Sequence, residues 1–347
     1  MSPRRHVAIG DPQAPFDTFL GILEHAGLLA SRERLADDVH LVSMGDHFDW
    51  GKVPDRAKAA DDGLRLLEWL ARHDADQVTI LAGNHDLARV SELAELDDAT
   101  FARVQRDADS IYVDGVTDRA REPAFLRDHP FAPTSELIAR DYSTFRVAQR
   151  ALVTQLLRSR RFRLASEHDG LLLVHAGVTV GDLAGIGIVA SSAAQVAREL
   201  NRFLDERVRH WTSGRLELDP LHVPGTAALG DGRGVLYHRP SDPSRDKPEH
   251  FVGPPRRRFD PRELPAEFPQ AIGHIRDTKC RELMPEWEDG QPARDGPLRS
   301  LSVDDDGVRY AHGCVQDARM YLLDNGMAHV EVTAYELFDL DRRQPLR

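Results

Sequence analysis

Cysteine is nearly missing from this 347-residue chain, which holds only Cys280 and Cys314. Two thiols exclude a disulfide scaffold and allow one bridge at most. No run of about 18 apolar residues occurs, so no membrane-spanning helix is expected. Met1-Ser-Pro-Arg-Arg-His6 leads straight into an apolar stretch without a signal-peptide core, and a cytoplasmic protein is expected. Lysine is scarce as well: Lys52, Lys58, Lys247 and Lys279 are the only ones among 45 basic residues. That skew reads as a coding bias toward arginine rather than as a phosphate-binding device. Positive charge is in deficit, since 45 Lys+Arg face 57 Asp+Glu and leave a formal net charge of −12. Such a balance argues against a dedicated nucleic-acid scaffold, though it leaves room for a local basic cleft. With 41% hydrophobic and 29% charged residues, the composition is that of a globular enzyme, not a disordered chain.

What is present is an alternation of two periodicities. His6–Gly10 is a short apolar run ended by Asp11-Pro12 and predicts a buried strand. Phe16, Phe19, Leu20, Leu23 and Ala26 make a helical stripe over residues 16–29. A second strand is expected over 39–44, ended by Gly45-Asp46, and a helix over 57–70. A third strand is expected over 77–82, ended by Gly83-Asn84. This order predicts an α/β fold with a parallel sheet of right-handed crossovers. Asp11, Asp46 and Asn84 then stand just past strand C-termini, the edge at which open α/β sheets bind ligands.

Residues 87–163 read as mostly helical, with one long helix expected over 135–158. A fourth buried strand is expected over 170–175, a helix over 193–208 and a short strand over 271–274. Residues 212–269 are loop-like and dense in Pro, Gly and Arg, a length that points to function or mobility. Residues 319–323, the turn Asp324-Asn325-Gly326 and residues 328–333 give a β-hairpin signal. Neither a repeat nor a linker is evident. The expectation is one domain over 1–347, with a helical insertion at 87–165 over the site and a second, loop-rich insertion at 178–270.

Five positions at the ends of apolar runs carry metal-binding chemistry: Asp11, Asp46 with Asp49, Asn84 with His85, His175, and His274. Carboxylate and imidazole donors suit Mn²⁺, Fe or Zn²⁺ better than Ca²⁺ or a thiolate-selective metal. Two ions roughly 3.5–4 Å apart can share a carboxylate such as Asp46 and activate water for in-line attack on phosphorus. Taken singly, each residue has a plainer reading. Asp11 and Asp46 are good helix N-caps, Asn84-His85 can be a turn, and His175 and His274 can be satisfied core histidines. His47 and His312 read as structural, Arg256-Arg257-Arg258 as a solvated loop, and the two cysteines as buried small residues.

In order along the chain stand Gly10-Asp11-Pro12-Gln13, Gly45-Asp46-His47-Phe48-Asp49-Trp50-Gly51, Gly83-Asn84-His85-Asp86, Val174-His175-Ala176-Gly177 and Gly273-His274-Ile275-Arg276. Together these resemble the five blocks of the calcineurin-like metallophosphoesterases, over residues 6 to about 280. The His-Ala-Gly and Gly-His-x-Arg forms look more like the branch of phosphoprotein phosphatases and symmetrical diadenosine-tetraphosphate hydrolases. The resemblance implies a central β-sandwich flanked by helices. It implies two divalent ions, with Asp11 and Asp46 on the first and Asp46, Asn84, His175 and His274 on the second. His85, oriented by Asp49, is implied to give a proton to the leaving oxygen. Leu236-Tyr237-His238-Arg239-Pro240 is similar to a segment that supplies a phosphate-gripping arginine in that branch.

Three departures qualify the resemblance. Gln13 stands where the family has a histidine ligand; its carbonyl can still coordinate, as a weaker neutral donor. Arg276 replaces the second histidine of the last block, and reads either as a substrate contact or as the partner of Asp277 or another neighbour. Trp50 stands where the branch has an arginine. The expected function is a phosphohydrolase using two divalent ions, Mn²⁺ first, with Fe or Zn²⁺ as alternatives. Its expected substrate is a small phosphomonoester or a nucleotide polyphosphate, ahead of a phosphoprotein, with no membrane or nucleic-acid partner. The rivals are a phosphodiesterase or nuclease, which keeps both histidines in its last block, a protein serine/threonine phosphatase, and a non-catalytic phosphate-binding module.

Overall fold

Strands without a polar face must be covered on both sides, and the apolar runs of this chain are such strands. The computed structural model describes residues 4–223, 233–243, 258–305 and 307–346. Numbered in chain order, the strands of its two main sheets are β1 (Arg5–Ile9), β2 (Val39–Ser43), β3 (Val78–Leu81), β4 (Phe162–Arg163), β5 (Ala165–His168), β6 (Leu171–Val174), β7 (Gln270–Ile272), β8 (Arg299–Asp304), β9 (Gly307–His312), β10 (Met320–Leu322), β11 (Phe338–Asp339) and β12 (Gln344–Pro345). One sheet has the order β12-β11-β1-β2-β3-β4 and the other β9-β8-β10-β7-β6-β5. β1 to β4 run parallel, as do β6, β7 and β10, while the outer strands are antiparallel.

The period of two along each strand divides the core into layers. Ala8, Val42 and Leu81 of the first sheet cluster with Leu171, Leu173, Ala271 and Tyr321 of the second, between the sheets. Val7, Ile9, Leu41 and Ile80 join Phe19, Leu23, Leu66 and Leu70, from the helices Phe16–His25 and Arg56–Ala71. Leu172 and Val174 belong to the same cluster as Val196 and Leu200 of the helix Ala193–His210. The result is the α/β sandwich flanked by helices. A third apolar cluster, including Leu93, Phe101, Phe125, Ile138, Tyr142 and Phe145, gives the helical stretch after β3 its own small core.

Two sequence expectations are corrected. The long helix over 135–158 is broken into a π-helical turn, Leu137–Asp141, and the helix Val147–Arg158. At the break the Thr144 N–H and hydroxyl donate to Oδ1 of Asp49, and the Arg146 N–H donates to Gln149 Oε1, so these backbone groups are satisfied outside a helix. The C-terminal hairpin does not form either. β10 already pairs with β7 on one edge and β8 on the other, and 3₁₀ turns at Met327–His329 and Val332–Ala334 follow. The turn residues bond locally instead: Gly326 N–H donates to Asp324, and the Asn325 amide donates to the Glu336 carbonyl.

His47 is buried between Ser43 and Asp86, and His312 bonds Asp277 at 2.7 Å. Both cysteines are free thiols, Cys280 buried and Cys314 half-buried. Arg256 and Arg257 lie outside the described residues. Among the described residues no helix is long and apolar enough to cross a membrane.

Candidate metal centre

Six strand ends meet at one rim. Asp11 follows β1, Asp46 follows β2 and Asn84 follows β3 in the first sheet; His175 follows β6, His274 follows β7 and Asp324 follows β10 in the second. All six are buried. The sheets are stitched together here, because the His274 N–H donates to both oxygens of Asp11, at 3.0 and 2.9 Å. Two glycines make the approach possible. A Cβ on Gly83 would lie 2.0 Å from Oδ1 of Asp46, and one on Gly273 would lie 1.9 Å from Oδ1 of Asp11. Asp46, Asp49 and His274 hold φ angles of 57°, 67° and 65°. Left-handed backbone at non-glycine residues costs on the order of 1–3 kcal/mol each and collects at functional sites.

Donor atoms of Asp46, His175 and His274 lie within 4.8 Å of one another. His175 donates its Nδ1–H to the Met44 carbonyl at 2.8 Å. That bond fixes the tautomer and leaves Nε2 facing Asp46 Oδ2 at 3.4 Å and Asn84 Oδ1 at 3.1 Å. Among the described residues, Nε2 of His274 is buried without a hydrogen-bond partner, and so is Nε2 of Gln13. Unpaired buried polar atoms are costly, and each such atom in a native fold calls for an explanation.

The electrostatics of the rim are dominated by convergent carboxylates and imidazoles. Burial, then Asp324 and Asp46, raises the Asp11 carboxyl well above its ordinary value. Burial also raises Asp46, but His175 and His85 outweigh it and hold that carboxyl well below the carboxylate range. His274 is lowered by burial, then by Arg239 and His175, which keeps its imidazole neutral and able to ligate. Imidazoles, a carboxamide and convergent carboxylates are a donor set for a divalent transition ion. The residues present fit such a group.

His85 stands beside this set. Its N–H donates to Asp46 Oδ1 at 2.9 Å, its Nδ1 bonds Asp49 Oδ2 at 2.9 Å, and its Nε2 lies 3.8 Å from Asp46 Oδ2. Burial lowers the imidazole, but Asp46 and Asp49 outweigh it and raise it to about 9. Arg239, half-buried in a two-residue strand with Arg258–Phe259, adds positive charge near His274 and Asp46. Arg276 is drawn to Asp295, Nε to Oδ1 at 3.1 Å, so of its two sequence readings the partner role is the one visible, with a different carboxylate.

Three groups at this site escape sequence reasoning. Asp324 is the sixth strand end, and the hairpin signal conceals it; the buried run Tyr321-Leu322-Leu323 ahead of it was the available clue. Arg89 bonds Asp49 and the His85 carbonyl, four residues past His85 on the same short turn. Tyr142 packs edge-on against His85 at 5.6 Å, and its hydroxyl meets that of Tyr237 at 2.6 Å and Glu92 at 3.3 Å. No local sequence pattern joins residues 92, 142 and 237. A shallow groove of about 690 Å³ elsewhere, lined by Arg160, Arg163, Arg198 and Arg202 among others, contains none of the rim residues.

Residues 5–192 match the calcineurin-like phosphoesterase family. No curated relative matches the chain. Among solved structures, a cold-active protein tyrosine phosphatase is 13% identical with a TM-score of 0.47, covering 97% of this chain and 73% of its own. The cold-active protein-tyrosine phosphatase of a psychrophilic Shewanella is also 13% identical, with a TM-score of 0.45, covering 100% and 81%.

Proposed function

The chain belongs to the calcineurin-like phosphoesterase family, and from that premise we propose that it is a metal-dependent phosphohydrolase acting on a phosphomonoester or a nucleotide polyphosphate. The observation that carries this reading is the convergence of Asp46, His175 and His274 donors within 4.8 Å at the rim. Asp46, Asn84, His175 and His274 would hold one ion, and Asp11, Asp46 and Gln13 the other. Mn²⁺ is the first choice; Fe and Zn²⁺ also suit these donors. When bound, the ions polarise phosphoryl oxygens and activate water as the nucleophile.

The chain's own residues supply the rest. His85 gives a proton from Nε2 to the leaving oxygen, because its Nδ1–H is committed to Asp49. Asp49 orients that ring and keeps it charged, and Arg89 holds Asp49 in place. Arg239 neutralises charge on the bound phosphate. Arg276, its charge shared with Asp295, acts from the rim of the pocket. The insertions expected from sequence at 87–165 and 178–270, the second of which lies partly outside the described residues, favour a small substrate over a protein surface.

The test is hydrolysis of an aryl phosphate monoester, the matching bis-aryl diester and diadenosine tetraphosphate in Mn²⁺, with Asp46→Ala as blank. Turnover of the monoester or dinucleotide, absent in the blank, is expected. Diester turnover alone would move the chain to a phosphodiesterase. No turnover with a single bound ion would make it a phosphate-binding module.

A further inference from the structure

At the opposite end of the sandwich, where β1 begins instead of ends, three side chains from distant parts of the chain turn toward one point. Nδ1 of His6 lies 3.0 Å from Oδ1 of Asp341, and Nε2 of His168 lies 2.8 Å from the same oxygen. One donor atom from each residue falls within 4.8 Å of the other two. The His6 and His168 rings are 4.4 Å apart, and His40, paired with His6 in register across β1 and β2, packs edge-on at 5.7 Å. Asp11 is five residue steps along the chain from His6, most of them in β1, a span of roughly 16 Å at about 3.3 Å per step, so this cluster is not part of the rim.

We propose that His6, His168 and Asp341 form a separate site for a borderline divalent ion of the Zn²⁺ type. Two imidazoles and one carboxylate are a zinc donor set, with a fourth position left to water. Tetrahedral ligands at about 2.0–2.1 Å from an ion lie roughly 3.3 Å from one another. The observed contacts of 2.8 and 3.0 Å therefore need to open by only a few tenths of an ångström. Side-chain exposures of 26% for His6, 21% for His168 and 46% for Asp341 leave an entry path from solvent. The placement gives the site a use. His6 belongs to β1 and Asp341 follows β11 of one sheet, while His168 belongs to β5 of the other, so a bound ion would clamp the two sheets through His168, 173 residues from Asp341. An ion that binds the folded chain alone stabilises it by linkage.

The experiment is equilibrium dialysis of the full-length protein against Zn²⁺ with the bound metal counted. It compares wild type, His168→Asn, Asp341→Asn and Asp46→Asn, each checked by circular dichroism, with thermal melts alongside. Wild type is expected to hold one more zinc per chain than His168→Asn or Asp341→Asn. At saturating zinc its Tm should rise by about 3–5 °C through this site, an increment both variants lose. Asp46→Asn should keep that increment. Mn²⁺-dependent phosphate-ester hydrolysis by His168→Asn should equal that of wild type; if the chain proves inactive, the zinc count still decides. Equal zinc content and equal Tm response in wild type, His168→Asn and Asp341→Asn would overturn the proposal. So would loss of all zinc in Asp46→Asn, which would place every ion at the rim.

Discussion

Arg89 and Asp49 form an ion pair closed to water: Nη1 lies 2.6 Å from Oδ2, and neither side chain has exposed surface. The same Oδ2 meets His85 Nδ1 at 2.9 Å, while Oδ1 accepts the Thr144 N–H and hydroxyl. One carboxylate thus ties His85 to a cation on its own turn and to the break between two helical segments. Burial raises Asp49, but Arg89 and His85 outweigh it and bring it to about 2, so it stays charged throughout the working range.

Replacing Arg89 by Met should therefore damage two things at once. Removing one partner of a buried pair leaves the other charge stranded, a loss of about 3–5 kcal/mol. A freed Asp49 also releases the His85 ring, and misplacement of a proton donor by about 1 Å can lower kcat roughly 10²-fold. Urea midpoints and kcat on an aryl phosphate measure the two effects. Arg89→Lys should recover part of both; an unchanged kcat in Arg89→Met would show that Asp49 does not need it to place His85.

Asp11 makes the opposite bargain. An acid whose folded pKa is raised costs stability at every pH above its ordinary value near 3.8, because its charged form is disfavoured in the fold. Asp11→Asn keeps an oxygen for the His274 N–H and removes the charge that Asp324 and Asp46 repel. The metal-free variant should thus melt above metal-free wild type at pH 7, and below it in saturating Mn²⁺, where wild type gains the binding energy. Melts with chelator and with Mn²⁺ give both orders. An Asp11→Asn protein that melts below wild type in chelator would contradict the repulsion.

The strand ends were legible because each is a buried apolar run stopped by one polar residue, and that mark picks out Asp11, Asp46, Asn84, His175 and His274 in sequence. Asp324 carries it too, but Asp324-Asn325-Gly326 is also a turn sequence, and local turn chemistry cannot tell that both edges of β10 are taken. The broken helix near Thr144 was invisible for a related reason: its apolar spacing is helical, and the competing bonds come from Asp49, 95 residues away. The β8–β9 hairpin went unassigned, and Arg299 on it is buried through bonds to the Ile275 and Asp324 carbonyls, a burial that arginine rarely signals. Local periodicity thus reports elements that bury themselves, and misses those whose polar groups are satisfied from afar.

Gly83→Ala tests whether the close approach at the rim matters for chemistry. The new methyl would meet Oδ1 of Asp46 at 2.0 Å and its backbone N at 2.5 Å, so the carboxylate must move. A displaced Asp46 should lose bound metal and cut kcat by about 10²-fold or more, since oriented groups lose rate steeply with distance. Metal content and kcat after reconstitution are the readouts. Full metal binding at wild-type rate would remove Asp46 from the centre.

Asp277 offers a test of pH dependence away from the metal-binding atoms. Oδ1 accepts from the Tyr310 hydroxyl at 2.6 Å and Arg281 Nε at 3.0 Å; Oδ2 accepts from the Arg294 N–H at 2.8 Å and bonds His312 at 2.7 Å. Burial raises this carboxyl, but Tyr310, Arg294 and His312 outweigh it and lower it below its ordinary value of 3.8. A lowered acid contributes stability that is complete above its unfolded value and is lost as pH falls through the folded one. Asp277→Asn should therefore be less stable than wild type at pH 7, by about 2 kcal/mol, the usual scale for charge-assisted bonds. Arg281 keeps Glu288 and Asp289, which limits the loss. Urea midpoints taken from pH 7 to pH 3 should show the gap between the two proteins constant down to about pH 4 and narrowing below it. A gap that widens as pH falls would mean that Asp277 is held protonated in the fold, and its four donors would need another explanation.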